Sequence, residues 1–406
     1  MQKKINCLLF SDFEIPSYKR IYRGVLLIDS ANVEKYNFTT VSPYTKDTFI
    51  NKKANIQKKY FKLFFKNHNF QYSFISRTER IIKLFFTLFK IRHLDFDIIY
   101  VGGSYLLPFA KFLKKTNSKI IINLCDFYSD LYVEYQMPFG KYLKNIIRCL
   151  EKKFLSYADF ITVDTYAYKD LLVKNYNIKE EKCIVLPNGI DVKKFPYLKN
   201  KDKKILESYG FKEEDKVIFY GGDISHVDNI EMILEFANEY KTKNFKFLII
   251  GKGNNKYLEK LKDYISKNNL KNNVVIEGFK PYDDLYKYIS IADVCLAPFK
   301  ITETTNVTES SKIITYLLSG KKILATRAKG VESLYGKYIY YLDKGDYTEF
   351  KDKLLKLLKK KITENEKEVI RNHGLKFDFN LIIKQELKLI EDITLGSKIK
   401  DYNLKI

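Results

Sequence analysis

The chain has 406 residues, of which 46% are hydrophobic and 15% aromatic, so it is a folded protein with room for two or three domains and not an extended disordered chain. Its formal charge is +23, with 33 basic against 18 acidic residues in 1–195 and 39 against 31 in the remainder. Such a basic surface suits nucleic acid, anionic lipid or phosphorylated ligands.

The five cysteines are widely spaced and form no CxxC pair, which argues against a disulfide framework or a zinc site. We therefore expect reduced thiols and a cytoplasmic protein. The first apolar run, residues 5–10, is too short for a signal peptide, and no run reaches the roughly 18 apolar residues of a membrane span.

The first half of the chain predicts parallel β-α-β units. Short apolar strands are predicted at residues 4–10, 95–101, 119–124, 160–163 and 183–186. Helices are predicted between them at 106–115, 140–156 and 167–175. This alternation is typical of a doubly wound α/β domain. The turn Pro187-Asn188-Gly189 and the lysine-rich stretch 192–204 then indicate an inter-domain connection.

The second half repeats the pattern. Its strands are predicted at 217–220, 245–250, 274–277, 294–297, 322–325 and 338–341, and its helices at 229–240, 257–267, 282–289 and 310–318. From about residue 347 the chain reads as helical to about 393, with a break near 372–380. We therefore predict domains over residues 1–195 and 196–375, followed by a C-terminal helix and tail over 376–406.

Residues 51–93 form a basic aromatic segment, with eleven Lys or Arg and a single acid, Glu79. Within 80–92 the apolar side chains recur at helical spacing and basic side chains fill the other positions. Such a helix can lie on an anionic membrane surface, or it can face the core with a solvated basic side, and the sequence leaves both open. No nucleic-acid motif accompanies the segment, so nucleic acid is the weakest of the candidate partners.

Glycine pairs follow the first two strands of the second half. Gly221-Gly222 end one strand, and Gly251-Lys252-Gly253 end the next. Glycine lets a ligand or another backbone approach closely, although a plain tight turn explains each pair as well.

Ser310-Ser311 precede an apolar helix, and serine is a good N-cap. The free N–H groups at a helix start form an anion site. Lys312 falls in the first turn, where a positive charge opposes the helix dipole unless an anion is nearby, which favours a phosphate site. Glu303 and Glu309 lie in the preceding loop, and each is either a ribose-binding carboxylate or a solvated loop acid.

These motifs, in this order, resemble the glycosyltransferases of the GT-B fold, specifically the family 4 (group 1) type. The resemblance covers residues 160–335 and rests on Pro187–Asp191, Phe219–Gly222, Phe247–Gly253, Val274–Phe279, Ala292–Val294 and Ser311–Ile323. Residues 1–159 match only in strand pattern. The resemblance implies two Rossmann-like doubly wound α/β domains facing a cleft, with the C-terminal helices packing back on the N-terminal domain.

The resemblance also implies a function. The family transfers a sugar from a nucleotide donor, usually UDP- or GDP-linked, to an acceptor held by the N-terminal domain. We therefore predict transfer to a glycan or lipid-linked acceptor in cell-surface polysaccharide or glycolipid synthesis, and the basic aromatic segment leads us to expect it at the cytoplasmic face of the membrane. It implies no metal and no cofactor beyond the nucleotide-sugar substrate. The implied donor-binding residues are Gly221, Gly222, Lys252, Gly278, Phe279, Glu303, Glu309, Ser310, Ser311, Lys312 and Thr315.

The chain departs from the family pattern at several positions. Many members carry Arg and Lys after the first glycine loop, where this chain has Asp223 and then His226, Asp228 and Asn229. Thr315 stands where a ribose-binding Glu is common, and Cys125 where many members have His.

Asp126, Asp130 and Glu134 remain as acidic groups at the C-terminal end of a predicted strand, and Asp126 and Asp130 are the candidate catalytic carboxylates. One carboxylate would be the general base of an inverting enzyme, whereas a retaining enzyme needs none. The sequence leaves the stereochemistry open. Two alternatives fit the same fold: a non-catalytic GT-B-fold binding protein, which the missing cationic pair and Thr315 favour, and a sugar-nucleotide epimerase.

Overall fold

The structure is a computed structural model, and it describes residues 4–10, 31–32, 34–43, 56–61, 74–125, 127, 129–130 and 140–397. The chain folds into two compact units. The first comprises residues 1–187 and 380–405, and the second comprises residues 188–379. Each unit is a parallel sheet with helices packed on it, as the predicted pair of Rossmann-like α/β domains requires.

The first unit holds a seven-stranded parallel sheet in the order β3-β2-β1-β4-β5-β6-β7. The strands are β1 Ile5–Phe10, β2 Tyr36–Pro43, β3 Ile56–Phe61, β4 Ile98–Val101, β5 Lys119–Asn123, β6 Phe160–Val163 and β7 Cys183–Val185. The helices that follow β3 are α1 Phe74–Ile91, α2 Leu107–Leu113, α3 Gly140–Leu155 and α4 Tyr166–Tyr176. The sequence did not predict β2 and β3, because Asn, Thr, Gln and Lys interrupt their apolar residues.

The second unit holds a six-stranded parallel sheet in the order β10-β9-β8-β11-β12-β13. The strands are β8 Lys216–Gly221, β9 Phe245–Ile250, β10 Val274–Glu277, β11 Val294–Ala297, β12 Lys322–Thr326 and β13 Tyr340–Leu342. The helices are α5 Lys203–Ser208, α6 Ile230–Glu239, α7 Asn255–Lys267, α8 Leu285–Ser290, α9 Glu303–Val307, α10 Ser311–Leu318, α11 Lys329–Tyr335, α12 Tyr347–Lys359 and α13 Glu364–Leu375. Side chains of the central strands alternate between two apolar cores, one on each face of the sheet.

The final helix, α14 Phe379–Thr394, belongs to the first unit. Its buried Glu386 accepts a hydrogen bond from Tyr100 Oη on β4 at 2.6 Å. Its Glu391 accepts one from Tyr36 Oη on β2, also at 2.6 Å. The expectation that C-terminal helices pack back on the N-terminal domain is therefore confirmed for α14, whereas α12 and α13 remain in the second unit.

The unit boundaries differ from the predicted 195/196 and 375/376 for a physical reason. Ile190 N–H donates to the Phe377 carbonyl at 2.9 Å, and Phe379 N–H donates back to Ile190 at 3.0 Å. Phe195 is fully buried in a core of the second unit. The stretch 188–195 is thus fixed to the second unit by backbone pairing and by an aromatic anchor.

None of the described helices is long and apolar enough to cross a membrane. The five cysteines are all free. Cys7, Cys183 and Cys295 are buried, as expected of structural thiols, and burial raises the pKa of Cys183 to about 11. Cys149 on α3 is exposed.

Candidate functional site

The glycine loops after β8 and β9 are paired with each other. Gly222 N–H donates to the Ile250 carbonyl at 2.9 Å, and Ile224 N–H donates to the Lys252 carbonyl at 2.7 Å. A Cβ on Gly251 would lie only 1.8 Å from the Gly222 carbonyl oxygen. The glycine at 251 is therefore required by the approach of the two loops, and the N–H groups of Gly222 and Ile224 are already used within the protein.

Helix α10 begins beside this paired edge. Ser310 occupies its N-cap position with an extended backbone, as predicted, but its hydroxyl does not cap the described helix. Further along α10, the buried Tyr316 Oη accepts a hydrogen bond from Gly221 N–H at 2.9 Å. The Tyr316 ring also packs edge-on against Phe219 of β8 at 5.9 Å. Tyr316 thus fixes α10 to the end of β8, which is a role that the sequence did not reveal.

Lys312 lies between α10 and the first glycine loop. Its Nζ is 2.8 Å from Asp228 Oδ1 and 2.8 Å from Tyr220 Oη, and it lies 4.5 Å from the centre of the Tyr220 ring. Asp228 is held in turn by Ser225, whose hydroxyl donates to Asp228 Oδ2 at 2.6 Å. The anion that compensates the first-turn lysine is therefore a carboxylate of the protein itself.

Gly222 makes room for this lysine. A Cβ at position 222 would lie 2.8 Å from Lys312 Cε and 3.1 Å from its Nζ. The Tyr220 hydroxyl completes the cluster by donating to the Asp223 carbonyl at 2.5 Å. Burial and the nearby Asp228 carboxylate raise the pKa of Tyr220 well above its usual value, so its hydroxyl stays protonated.

Lys252, Gly278 and Phe279 lie at the carboxyl edge formed by β9 and β10. Lys252 is exposed, and its Nζ is 4.6 Å from the centre of the half-exposed Phe279 ring, within the range of a cation–π contact. A Cβ on Gly278 would meet no heavy atom within 4 Å, so nothing in the protein requires glycine there. This part of the edge is open.

The two loop glutamates have separate environments. Glu309 Oε2 accepts a hydrogen bond from Asn188 N–H at 2.9 Å, which ties the loop before α10 to the backbone at Asn188. Glu303 is the first residue of α9, a short helix in a segment that the sequence predicted as loop. Thr302 caps α9 by accepting from Thr305 N–H. Neither the hydrogen bond between Asn188 and Glu309 nor the Thr302 cap excludes ligand binding by the two glutamates, but Glu309 already has a structural role.

Thr315 does not lie at the surface of the site. Only 3% of it is exposed, and its hydroxyl donates to the Lys312 carbonyl within α10 at 2.6 Å. The side chain is thus used inside the helix. Lys312 lies against Gly222 and Tyr316 is hydrogen-bonded to Gly221, so the start of α10 lies at the end of β8, whereas Thr315 is buried.

The candidate catalytic carboxylates belong to the first unit. Asp126 lies outside the described residues. Asp130 Oδ1 accepts from Arg148 at 3.1 Å and lies 2.7 Å from Lys144 Nζ, both on α3. A buried carboxylate that the sequence did not single out, Glu151, accepts from Ser104 Oγ at 2.9 Å and from Ser129 N–H at 3.1 Å. Asp130 and Glu151 thus both connect α3 to the carboxyl end of the sheet.

Within the described residues, no three or more His, Cys, Asp or Glu side chains form a group that could hold a metal ion.

Two family models match the chain. Residues 201–375 match glycosyl transferases group 1, and residues 35–194 match glycosyltransferase family 4. The chain is 25% identical over 266 residues to the alpha-monoglucosyldiacylglycerol synthase of Streptococcus pneumoniae, covering 64% of this chain and 56% of that protein. It is 26% identical over 222 residues to the N-acetylgalactosamine-N,N'-diacetylbacillosaminyl-diphospho-undecaprenol 4-alpha-N-acetylgalactosaminyltransferase of Campylobacter jejuni, covering 52% and 54%. The chain thus spans a little over half the length of these relatives.

The fold has close counterparts among solved structures. Anabaena HepE in complex with UDP superposes with a TM-score of 0.71 at 14% identity, covering 96% of this chain and all of that one. At this identity the likeness establishes the fold and not the substrate. The two consecutive family models, the paired Rossmann-like units and this superposition agree, and the chain belongs to the GT-B glycosyltransferases of the group 1, family 4 type.

Proposed function

We propose that this protein transfers a sugar from a nucleotide-diphosphate sugar, UDP- or GDP-linked, to a glycan or lipid-linked acceptor in cell-surface polysaccharide or glycolipid synthesis. Family membership supports the reaction class. The names of the two relatives, a glucosyldiacylglycerol synthase and a transferase acting on a diphospho-undecaprenol glycan, support a lipid-linked acceptor. The UDP bound to HepE supports a uridine donor.

The observation that carries the proposal is the position of Lys312 at the N-terminal turn of α10, against Gly222. The leaving group of the reaction is a nucleoside diphosphate, so stabilising its growing negative charge is the main catalytic demand. A helix N-terminus supplies N–H groups and a positive dipole end for that purpose. Lys312 adds a full positive charge in the same turn.

The pairing of Lys312 with Asp228 is compatible with this role. An ammonium group has three N–H donors, and two of them are directed at Tyr220 Oη and Asp228 Oδ1. The third can reach a phosphate oxygen while the other two hold the side chain in one position. In this proposal Asp228 positions the lysine and also reduces its net attraction for the diphosphate.

Lys252 and the open edge at Gly278 and Phe279 are proposed to complete the donor site. Lys252 is exposed and held only loosely over an aromatic ring, so it can turn towards a second phosphate. Because two lysines and a helix terminus can carry the negative charge of the diphosphate, we propose that the reaction needs no metal. Transfer measured with excess chelator should equal transfer measured without it, and loss of activity that Mg²⁺ restores would contradict this part.

Asp126 and Asp130 remain the proposed catalytic carboxylates. Asp130 is held by ion pairs with Lys144 and Arg148, so an Asp130→Asn variant tests both its chemical and its structural role. If Asp130 is the base, the variant should lose turnover while its affinity for UDP stays unchanged. Full turnover in Asp130→Asn would leave Asp126 as the candidate.

Calorimetry with UDP, GDP and ADP tests the donor site directly. We expect wild-type protein to bind at least one of them and Lys312→Ala to bind it at least about tenfold more weakly, as loss of a charge-assisted hydrogen bond predicts. Lys271→Ala, an exposed lysine in the same unit, is the matched control. Absence of binding by wild type, or equal binding by Lys312→Ala, would contradict the site.

The departures from the family pattern favour one second candidate, a binding protein that keeps the fold without transfer. The compensation of Lys312 by Asp228 and the burial of Thr315 are the observations behind it. Donor binding without hydrolysis or transfer across an acceptor panel would favour this alternative. Donor turnover in the absence of any acceptor would instead favour a sugar-nucleotide epimerase.

A further inference from the structure

Glu151 on α3 joins two loops that follow neighbouring strands of the first unit. Its Oε1 accepts a hydrogen bond from Ser104 Oγ at 2.9 Å, in the turn after β4. Its Oε2 accepts one from Ser129 N–H at 3.1 Å, in the segment after β5. Because β4 and β5 pair in parallel, both loops leave the same edge of the sheet. One side chain therefore holds the two loops at a fixed distance from each other.

This edge is also where we expect the first unit to bind a ligand. The chain builds β1 to β3 towards one side of the sheet and β4 to β7 towards the other, so the strand order reverses between β1 and β4. In open α/β sheets, ligands bind beyond the carboxyl ends of the strands at such a point. Gly102-Gly103 follow β4 there and directly precede Ser104. Ser104 and Glu151 are each only 2% exposed, so they support this edge from within the protein.

Helix α3 holds the segment after β5 with three side chains. Lys144, Arg148 and Glu151 are spaced by four and three residues, which puts them on one side of the helix. Asp130 Oδ1 lies 2.7 Å from Lys144 Nζ and 3.1 Å from an Arg148 nitrogen. Glu151 holds the N–H of the residue before it, Ser129. The position of the Asp130 carboxylate thus depends on α3 through its own ion pairs and through the preceding backbone.

A carboxylate is a costly side chain at a buried position, because its charge is removed from water. An apolar side chain of similar volume is often equally stabilising in such a place. It offers no acceptor, however, whereas Glu151 offers two oxygens that are used by separate loops. Paired polar groups in the interior fix one arrangement of the groups around them. Glu151 therefore supplies a defined geometry at this edge more than it supplies stability.

We propose that Glu151 is a positioning residue for sugar transfer, which holds the segment that carries Asp130 against the loop at Ser104. This role rests on the proposed transferase function and extends it to a residue that does not contact the substrate. Because misplacing a reacting group by about 1 Å can cost about a hundredfold in rate, Glu151→Leu should lower kcat at least about tenfold. Its affinity for UDP should stay unchanged, since the proposed donor site lies in the second unit.

Glu151→Gln separates positioning from a chemical role of the carboxylate. The amide oxygen can accept from Ser129 N–H while the amide nitrogen donates to Ser104 Oγ, so kcat should stay within about threefold of the wild type. An equal loss in Glu151→Gln and Glu151→Leu would show that the charge itself is needed, and would overturn the positioning role. Ser104→Ala removes one of the two contacts and should lower kcat about fivefold.

Ser118→Ala is the matched control for Ser104→Ala. Both serines are 2% exposed in the first unit, and Ser118 Oγ donates to the Phe96 carbonyl at 2.7 Å, just before β5 and thus at the opposite edge of the sheet. The two variants should lose similar stability in urea, but only Ser104→Ala should lose turnover. An equal loss of turnover in both would mean that Ser104 acts through stability alone, and would overturn the proposal.

Transfer is measured from UDP-glucose, UDP-N-acetylgalactosamine and GDP-mannose to diacylglycerol and to undecaprenyl-diphosphate-linked sugars in vesicles. Hydrogen exchange of the Ser129 amide adds a readout that needs no substrate, and it should be at least about tenfold faster in Glu151→Leu than in the wild type. A wild type that binds UDP but transfers no sugar would contradict the proposed function and this role with it. Normal kcat or unchanged Ser129 exchange in Glu151→Leu, beside an active wild type, would overturn the role of Glu151 alone.

Discussion

The Nζ of Lys312 lies 2.8 Å from Asp228 Oδ1, and both side chains are largely withdrawn from solvent, at 16% and 14% exposure. A lysine in the first turn of a helix is unfavourable by itself, because the N-terminus is the positive end of the helix dipole. Here a carboxylate that follows the first glycine loop compensates it. The pair therefore stabilises α10 and at the same time competes with any phosphate that approaches the lysine.

Replacing Asp228 with Asn should strengthen nucleotide binding. Asn keeps an oxygen that can accept from Lys312 but removes a negative charge close to the proposed diphosphate, so UDP should bind about fivefold more tightly. Asp263→Asn on α7 is the control for a general change in net charge. Titration calorimetry of the three proteins at one salt concentration measures the effect, and weaker binding by Asp228→Asn would show that the carboxylate contacts the donor favourably.

Gly251→Ala should destabilise the second unit through the paired glycine loops. Its Cβ would lie 1.8 Å from the Gly222 carbonyl oxygen, so the two loops must move apart and lose backbone hydrogen bonds. We expect a loss of at least about 2 kcal/mol in the free energy of unfolding.

Gly278→Ala is the matched control, because a Cβ there meets nothing within 4 Å. Its free energy of unfolding should stay within about 0.5 kcal/mol of the wild type. Urea unfolding followed by circular dichroism compares the two, and equal stability of both variants would argue against the close contact of the loops.

Tyr316→Phe should loosen the attachment of α10 to β8. The variant leaves the buried Gly221 N–H without its acceptor, which costs about 1–3 kcal/mol in unfolding free energy. Because α10 then holds its position less firmly, UDP affinity should also fall. Tyr142→Phe, whose hydroxyl is on an 83% exposed side chain, should leave both quantities unchanged. A stable Tyr316→Phe protein with normal affinity would show that packing alone positions the helix.

The sequence predicted the elements whose signal is local. β9, β10 and β11 are found at their predicted bounds, because each is a short and mostly apolar run in a parallel sheet. β2 and β3 were not predicted, since polar residues interrupt the apolar residues of these two strands, which lie at one edge of the sheet. α9 was missed because Glu303–Val307 has no apolar period, and only its cap at Thr302 marks a helix.

The site residues also divide into those that local sequence predicts and those whose contacts depend on the fold. Ser310, Ser311 and Lys312 follow from the pattern of a helix start, and the structure has that start at the predicted residue. The identity of the anion beside Lys312 could not be predicted, because Asp228 lies 84 residues earlier and only the fold brings it close. The position of Tyr316 under Gly221 depends on a contact between residues 95 apart in the chain.

The buried Lys321 makes the free energy of unfolding of the second unit depend on pH. Its Nζ donates to the carbonyls of Ser290 and Ala292 at 2.6 and 3.0 Å, and burial lowers its pKa to about 8. An unfolded lysine titrates near 10.4, so between pH 8 and 10.4 the unfolded state binds more protons than the folded state. The penalty of holding the buried charge is therefore fully present below pH 8 and fades as the pH rises.

The stability difference between Lys321→Met and the wild type isolates this effect. Relative to the variant, wild type should gain about 2 kcal/mol in unfolding free energy between pH 7 and 9.5, because its amine loses the proton in the folded state. The range stops at 9.5 so that unfolded tyrosines, which titrate near 10, contribute little. Lys271→Met, at an exposed position, should differ from the wild type by a constant amount. A constant difference for Lys321→Met as well would mean that its ammonium group stays solvated, and that the carbonyls of Ser290 and Ala292 do not hold it out of water.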